Sequence, residues 1–259
     1  MRIAAIADVH IGPDSVGTFQ PGLAALADDA EVLLIAGDLT KCGTVEEAEL
    51  FVDELDDVTV PIVAVLGNHD HHADRPHEVS EVLRQRDITV LEGTSTILHL
   101  GGRQLGIAGV KGFGGGFADT AASAFGEHEM KAFVRHTQVV AEQLGTELHR
   151  LADAGCEHRV ALMHYAPIAD TVAGERREIY PFLGSQLLGE AVDDAGADLA
   201  VHGHAHSGIE HGTTPGGIPV RNVALPVIGC AYRVYVLGEI EERDVAMAGW
   251  DVARHERSA

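Results

Sequence analysis

Apolar positions in the first third of the chain fall into three short unbroken runs: I-A-A-I-A at 3 to 7, V-L-L-I-A at 32 to 36 and I-V-A-V-L at 62 to 66. Between them Leu23 and Leu26, and later Val45, Ala48, Leu50, Phe51 and Leu55, recur at the three-to-four-residue spacing of amphipathic helices. This alternation of strands and helices predicts a parallel sheet. Strands that are apolar throughout, rather than at every second position, are those covered by helices. Each run stops at polar residues: Asp8 and His10, then Asp38, then Asn68 to Asp70. Ligands of open α/β sheets sit beyond the carboxyl ends of the strands, so three stretches distant in sequence are expected to meet at one edge.

Further along, I-T-V-L-E-G and T-I-L-H-L-G-G-R-Q-L-G-I-A-G read as strands, with Gly101 and Gly102 as a hairpin turn. A long helical pattern covers about 127 to 154, followed by the strand V-A-L-M-H at 160 to 164, a helix near 185 to 195, and A-D-L-A-V-H-G-H-A-H at 197 to 206. Polar residues again terminate the strands. The glycine-rich and β-branched runs beyond His206, G-G-I-P-V-R-N-V and Y-R-V-Y-V-L, are expected to be late strands of a second sheet. No internal repeat and no low-complexity linker interrupts the pattern, so residues 1–259 are expected to form a single domain built on two sheets.

A formal net charge of −22 argues against a partner gripped through its phosphate backbone, which needs clustered Lys and Arg; nucleic acid is therefore disfavoured. The first apolar run is far too short to span a membrane and lacks the features of a secretory leader. Cys42, Cys156 and Cys230 are scattered, without the spacing of a disulfide framework or a thiolate zinc site. Together these suggest a cytoplasmic protein without membrane attachment.

The strand-terminal groups are Asp8, His10, Asp38, Asn68, His69, His164, His204 and His206. Carboxylate and imidazole together suit manganese, iron or zinc. The set exceeds what one tetrahedral ion needs, and two ions roughly 3.5–4 Å apart that share a carboxylate would use it. Residues i and i+2 of a strand point the same way, so Asp8 with His10, and His204 with His206, are expected to reach the site as pairs. Gly37, Gly67 and Gly203 precede ligands and would permit tight turns there.

D-V-H at 8 to 10, G-D-L-T at 37 to 40, G-N-H-D at 67 to 70, His164 and G-H-A-H at 203 to 206 resemble the five ordered blocks of the calcineurin-like metallophosphoesterases. The resemblance implies an α/β fold, a four-layer α-β-β-α sandwich of two mixed β-sheets flanked by helices. It implies two divalent metal ions, the first held by Asp8, His10, Asp38 and His206, the second by Asp38, Asn68, His164 and His204, with Asp38 bridging. It places His69 outside the metal shell as the catalytic imidazole. Asp70 would hold that imidazole in the useful tautomer. The reaction implied is hydrolysis of a small phosphate ester by in-line attack of a metal-bound hydroxide, phosphodiesters (cyclic nucleotides among them) being preferred over monoesters. A phosphatase or nuclease of the same family is the enzymatic alternative, and a noncatalytic interaction scaffold with the same fold is the alternative of another class. The oligomeric state, a dimer included, is left open.

Other residues read less sharply. His71 and His72 look like surface histidines of a turn, His202 like a core residue behind the site, and Asp14 like a salt-bridging or turn residue. Cys42 reads as a small buried hydrophobe. The segment K-G-F-G-G-G-F at 111 to 117 lacks the ending of a P-loop and reads either as a loop over the cleft, with Phe113 and Phe117 covering substrate, or as a plain connection. Tyr165 and Pro167 are candidates to shape the pocket, and Arg176, Arg177 and Arg221 to touch phosphate.

Overall fold

The computed structural model describes residues 1–238 together with the backbone of Glu242–Arg243. Its strands are β1 (Arg2–Ile6), β2 (Val32–Ala36), β3 (Ile62–Val65), β4 (Thr89–Val90), β5 (Thr94–Leu100), β6 (Arg103–Val110), β7 (His158–Met163), β8 (Leu199–His202), β9 (His211–Thr213), β10 (Pro219–Asn222), β11 (Arg233–Val236) and β12 (Glu242–Arg243). The helices are α1 (Leu26–Asp29), α2 (Val45–Asp53), α3 (Pro76–Gln85), α4 (His128–Asp153), α5 (Tyr180–Leu183), α6 (Gln186–Ala195) and α7 (Leu225–Ile228). Two six-stranded sheets result, ordered β12-β11-β1-β2-β3-β4 and β5-β6-β7-β8-β10-β9. Both are mixed: β1 to β4 run parallel, as do β6, β7, β8 and β10, while β11, β12, β5 and β9 pair antiparallel.

The pleat explains the layering. In β6 and β7, Leu105, Ile107, Val160 and Leu162 pack with the first sheet, while their neighbours Ala108, Val110, Ala161 and Met163 pack with Leu144, Leu148 and Leu151 of α4 and Leu188 and Val192 of α6. The outer face of the first sheet is closed by Ala48, Phe51 and Val52 of α2 and Val79 and Leu83 of α3, all buried. The order helix, sheet, sheet, helix is the expected four-layer sandwich. Gly101 and Gly102 form the β5–β6 turn, with φ of 57° and 83° that favour glycine.

Two expectations change. The Leu23 and Leu26 pattern yields no continuous helix but two single turns, Gln20–Leu23 and α1, parted at Ala24 and Ala25; Pro21 opens the first turn, and Gly22 within it lowers the helix propensity of the stretch. The buried Glu54 carboxylate accepts from the backbone N–H of Gly17, Phe19 and Gln20, holding the approach to that turn. Of the two late runs only β10 joins the second sheet; β11 returns to the first, pairing Arg2 with Val236. Ala7 N–H donates to Val223 O (2.9 Å) and Leu225 N–H to Ala7 O (2.9 Å), which delivers the chain to the edge of β1 that β2 leaves open.

Candidate metal centre

The carboxyl ends of β1, β2, β3, β7 and β8 face one edge of the sandwich, and the segments that leave them carry the predicted ligands. The stretches after β1 and β2 run side by side, joined by Asp8 N–H to Gly37 O (3.0 Å), His10 N–H to Asp38 O (3.1 Å) and Ile11 N–H to Leu39 O (2.9 Å). Asp8, His10, Asp38 and His204 all have left-handed backbones, with φ of 60°, 46°, 53° and 70°. The expectation that a strand pleat aims i and i+2 is therefore corrected: these residues lie past the strands, and left-handed kinks turn them inward. Such a conformation costs a side-chain-bearing residue about 1–2 kcal/mol, and strain of this kind collects at functional sites.

Gly67 and Gly203 serve space rather than turning. A Cβ would lie 2.0 Å from Asp38 Oδ1 at position 67 and 2.3 Å from Asp8 Oδ2 at position 203.

Three overlapping trios offer one ligand atom each within 4.8 Å of one another: Asp8, His10 and His206; His10, Asp38 and His69; Asp38, His164 and His204. Asn68 joins the last through Oδ1, 2.9 Å from His164 Nε2. Tautomers follow from the carbonyl partners, because a carbonyl only accepts. His164 Nδ1 donates to Ala36 O (2.8 Å), turning Nε2 toward Asp38 Oδ1 at 3.3 Å. His204 Nε2 donates to Phe182 O (3.1 Å), leaving Nδ1 as its lone-pair nitrogen. His206 Nε2 lies 2.9 Å from Asp8 Oδ1. Backbone N–H groups aim the acids: His69 N donates to Asp38 Oδ1 (2.8 Å) and His204 N to Asp8 Oδ2 (2.9 Å).

Among the described residues His10 Nε2 is buried without a hydrogen-bond partner, 3.8 Å from Asp38 Oδ2 and 4.0 Å from Asp8 Oδ1. A buried imidazole nitrogen that no protein group satisfies, facing two carboxylates, fits a divalent ion. Burial holds His10 below its ordinary imidazole value and takes His204 down to about 3, so both keep free lone pairs at neutral pH. Burial alone would raise Asp38, but His164 outweighs it and holds the acid well below the usual carboxylate range. His164 in turn is depressed by burial yet driven up to about 9 by Asp38. In the metal-free protein a proton thus sits among these donors.

The expected link between Asp70 and His69 is not formed. Asp70, fully buried, accepts from Gly67 N (2.8 Å), Thr40 N (2.9 Å), Thr40 Oγ1 (2.6 Å) and Leu39 N (3.3 Å), tying the Asp38 and Asn68 segments together. Burial and then Asp38 raise its pKa to about 6. The His69 tautomer is instead set by the Lys41 carbonyl, 2.8 Å from Nδ1, which leaves Nε2 available. Its ring meets that of His10 edge-on at 4.5 Å.

His202 is buried as expected, bonded to Thr171 Oγ1 (2.8 Å) and Gly203 O (2.7 Å). Asp14 pairs with Lys41 at 2.8 Å. Cys42 is exposed rather than buried, and none of the three cysteines forms a disulfide. His72 is exposed, but His71 is half-buried, its pKa lowered by burial and then by Lys111. Tyr165 lines the site, its ring 4.4 Å from that of His204. The 111–117 segment is tied down: Gly115 and Gly116 donate to Pro181 O and Gly184 O, Phe117 is buried near Tyr180, and of the two phenylalanines it is Phe113 that reaches Tyr165 (6.1 Å). Arg176 and Arg177 are exposed, and Arg221 lies over the Tyr235 ring. Lys111, beside Phe113 and Tyr165, is a residue of this site that motif spacing did not single out.

No curated protein matches the chain by sequence. Among solved structures it resembles the phosphopantetheinyl hydrolase of Mycobacterium tuberculosis (14% identity, 93% of this chain and 97% of that one, TM-score 0.65). It also resembles a 5'-nucleotidase precursor from Thermus thermophilus (15% identity, 86% and 48%, TM-score 0.50) and GAP50, the anchor in the inner membrane complex of Plasmodium (11% identity, 87% and 72%, TM-score 0.54). At these identities the likeness is one of fold. Residues 1–208 match the family model described as calcineurin-like phosphoesterase. The chain belongs to the calcineurin-like phosphoesterases, metal-dependent hydrolases of phosphate esters.

Proposed function

We propose that the whole chain acts as one binuclear-metal phosphoesterase domain on small phosphate esters, phosphodiesters in preference to monoesters. The observation that carries this reading is the convergence of two carboxylates and the imidazoles of His10, His164, His204 and His206 into trios, two of which share Asp38, with His10 Nε2 otherwise unsatisfied. Asp8, His10, Asp38 and His206 would hold one ion and Asp38, Asn68, His164 and His204 the other. The ions, when bound, supply an activated water and neutralise charge on the phosphoryl oxygens. Mn, Fe and Zn all suit the donors.

The chain's own groups account for the remaining chemistry. Asp38 is held by His69 N–H so that both its oxygens face ligand nitrogens. His69, its Nδ1 proton anchored on Lys41 O, presents Nε2 to the site, and as the doubly protonated imidazolium it can give the Nε2 proton to the leaving oxygen, ending as the neutral Nδ1–H ring. Because His69 also lies within ligand reach of His10 and Asp38, metal content must be read beside activity. The Tyr165 ring borders His204, and the Phe113 ring borders Tyr165; together they give a second ester substituent an apolar surface, which supports the diester preference, cyclic nucleotides included. The net charge of −22 disfavours a nuclease. Three cysteines without a disulfide support a reducing compartment, and we place the protein in the cytoplasm; among the described residues no helix is long and apolar enough to cross a membrane.

The test is turnover after reconstitution with manganese, iron, zinc or no metal, on bis-para-nitrophenyl phosphate, para-nitrophenyl phosphate and a cyclic nucleotide. Metal-dependent diester cleavage, abolished in Asp38→Ala and reduced about 10²–10⁴-fold in His69→Ala with both ions retained, is expected. Silence on all three esters with two ions bound would favour the scaffold alternative. Loss of metal together with activity in His69→Ala would make His69 a ligand.

A further inference from the structure

Lys111 follows β6 directly, and its carbonyl accepts from His164 N (2.9 Å) and Tyr165 N (3.1 Å), so its side chain starts beside the metal centre. Its ammonium is half-buried, 5.2 Å from the centroid of the Phe113 ring and 5.1 Å from that of Tyr165. Among the described residues the only hydrogen bond it makes is a long one to Gly112 O at 3.4 Å, and no carboxylate lies within the 4.0 Å of an ion pair. A partly buried ammonium without an acid partner is unusual, because desolvation of the charge must be compensated. Phe113 is packed by His136 (4.5 Å) and Tyr165 by His204 (4.4 Å), so the aromatic support of the ammonium is continuous with the predicted ligand shell.

Burial pushes the Lys111 ammonium below its ordinary value, and the acid that opposes this from a distance is Asp38. That carboxylate belongs to both donor sets of the proposed centre, so loading the site commits its charge elsewhere. His71 and His136, the other titratable groups that feel Lys111, are imidazoles and offer no compensating negative charge. The remaining source of negative charge is the substrate.

We propose that Lys111 determines specificity by binding a second negative charge of the substrate, next to the phosphate held at the metal centre. The inference rests on the phosphoesterase reading and deepens it. The second charge has two chemical sources, the extra ionised oxygen of a phosphomonoester or an acid group on one substituent of a diester. Both present a doubly charged head to the same ammonium.

The test compares manganese-loaded wild type, Lys111→Met and Lys111→Arg at mildly alkaline pH. Calorimetry measures binding of inorganic phosphate, a dianion, against dimethyl phosphate, a monoanion of similar size. Kinetics compare para-nitrophenyl phosphate, bis-para-nitrophenyl phosphate and para-nitrophenyl 2-carboxyethyl phosphate. In Lys111→Met the preference for inorganic phosphate over dimethyl phosphate is expected to fall at least about tenfold, with metal content unchanged and Lys111→Arg recovering most of it. The kcat/KM ratio of the doubly charged esters to the simple diester falls alike, mainly through KM. The ester that suffers most identifies the source of the charge. Equal losses for phosphate and dimethyl phosphate, or no loss for either, would overturn the proposal. A metal-loaded wild type that cleaves none of the esters would instead refute the phosphoesterase reading, while the binding comparison still decides the role of Lys111.

Discussion

Alanine at position 203 would place a Cβ 2.3 Å from Asp8 Oδ2, 2.5 Å from the Cβ of Ala7 and 3.2 Å from Ala36 O. Gly203 is not among the residues with positive φ, so backbone strain plays no part and the effect is one of space. Ala7 cannot retreat, being fully buried and bonded through N–H and carbonyl to Val223 and Leu225. Asp8 must move instead, and it is held by His204 N–H at 2.9 Å and His206 Nε2 at 2.9 Å. Overpacking costs about 1–3 kcal/mol and loss of a hydrogen bond to a charged group about 1.5–3 kcal/mol, so Gly203→Ala should destabilise the metal-free protein by about 4 kcal/mol. Manganese affinity should fall about 10–100-fold, as it does when the groups that orient ligands are disturbed. Urea unfolding in chelator and calorimetric manganese titration measure the two effects. Gly145→Ala in α4 is the control of opposite sign: its Cβ would meet Ala191 Cβ at an ordinary 3.6 Å, and helix propensity should stabilise by about 0.5–1 kcal/mol. A Gly203→Ala protein within about 0.5 kcal/mol of wild type and with unchanged manganese affinity would refute the claim that bare backbone at 203 makes room for the Asp8 carboxylate.

The metal-free protein should also lose stability as pH rises. His164 is held above its ordinary value, at about 9, so its contribution is complete below about 6.5 and disappears through about 9; about 3 kcal/mol is at stake for this fully buried ring. Asp38→Asn should flatten urea midpoints across that window, and a persistent slope would assign the shift to another group. Thr40→Val removes the hydroxyl that donates to Asp70 Oδ1 (2.6 Å) and accepts from Gly43 N (3.1 Å), and should cost about 1–3 kcal/mol in the same unfolding assay. Glu54→Gln leaves at least one of the Gly17, Phe19 and Gln20 N–H groups without its acceptor, and should accelerate proteolysis between residues 15 and 25 without changing metal affinity. Unchanged cleavage there would show that the carboxylate is not what holds the segment.

Much was legible without coordinates because burial on both faces and the ending of each strand leave direct marks on the residue order. Short apolar runs such as V-L-L-I-A, bounded by polar and glycine residues, fit interior strands of a covered sheet, and the acids and imidazoles after them fall at the edge where parallel strands release the chain. The amphipathic spacing from Glu127 onward likewise marks α4 within a residue at each end. Where local pattern was weak or misleading, longer-range contacts prevailed. The helix that the spacing of Leu23 and Leu26 predicts divided into two single turns at Ala24 and Ala25, and β11 crossed back to β1 because an open strand edge must be paired, whatever the pattern of Y-R-V-Y-V-L.

The order of residues by itself determined the donor inventory, the strands that deliver it and the family, since these depend on residue type and local period. Tertiary structure alone decided which atoms meet. Left-handed kinks at Asp8, His10, Asp38 and His204, not the pleat, aim the donors, and the Lys41 carbonyl rather than Asp70 selects the His69 tautomer. It also brought Lys111 to the ligand shell, from a loop whose sequence shows only glycine and phenylalanine around one lysine. The physical reason is the same in each case: a backbone dihedral, a carbonyl's direction or an ammonium's lack of an acid partner is set by groups distant in the chain, and no local period encodes it.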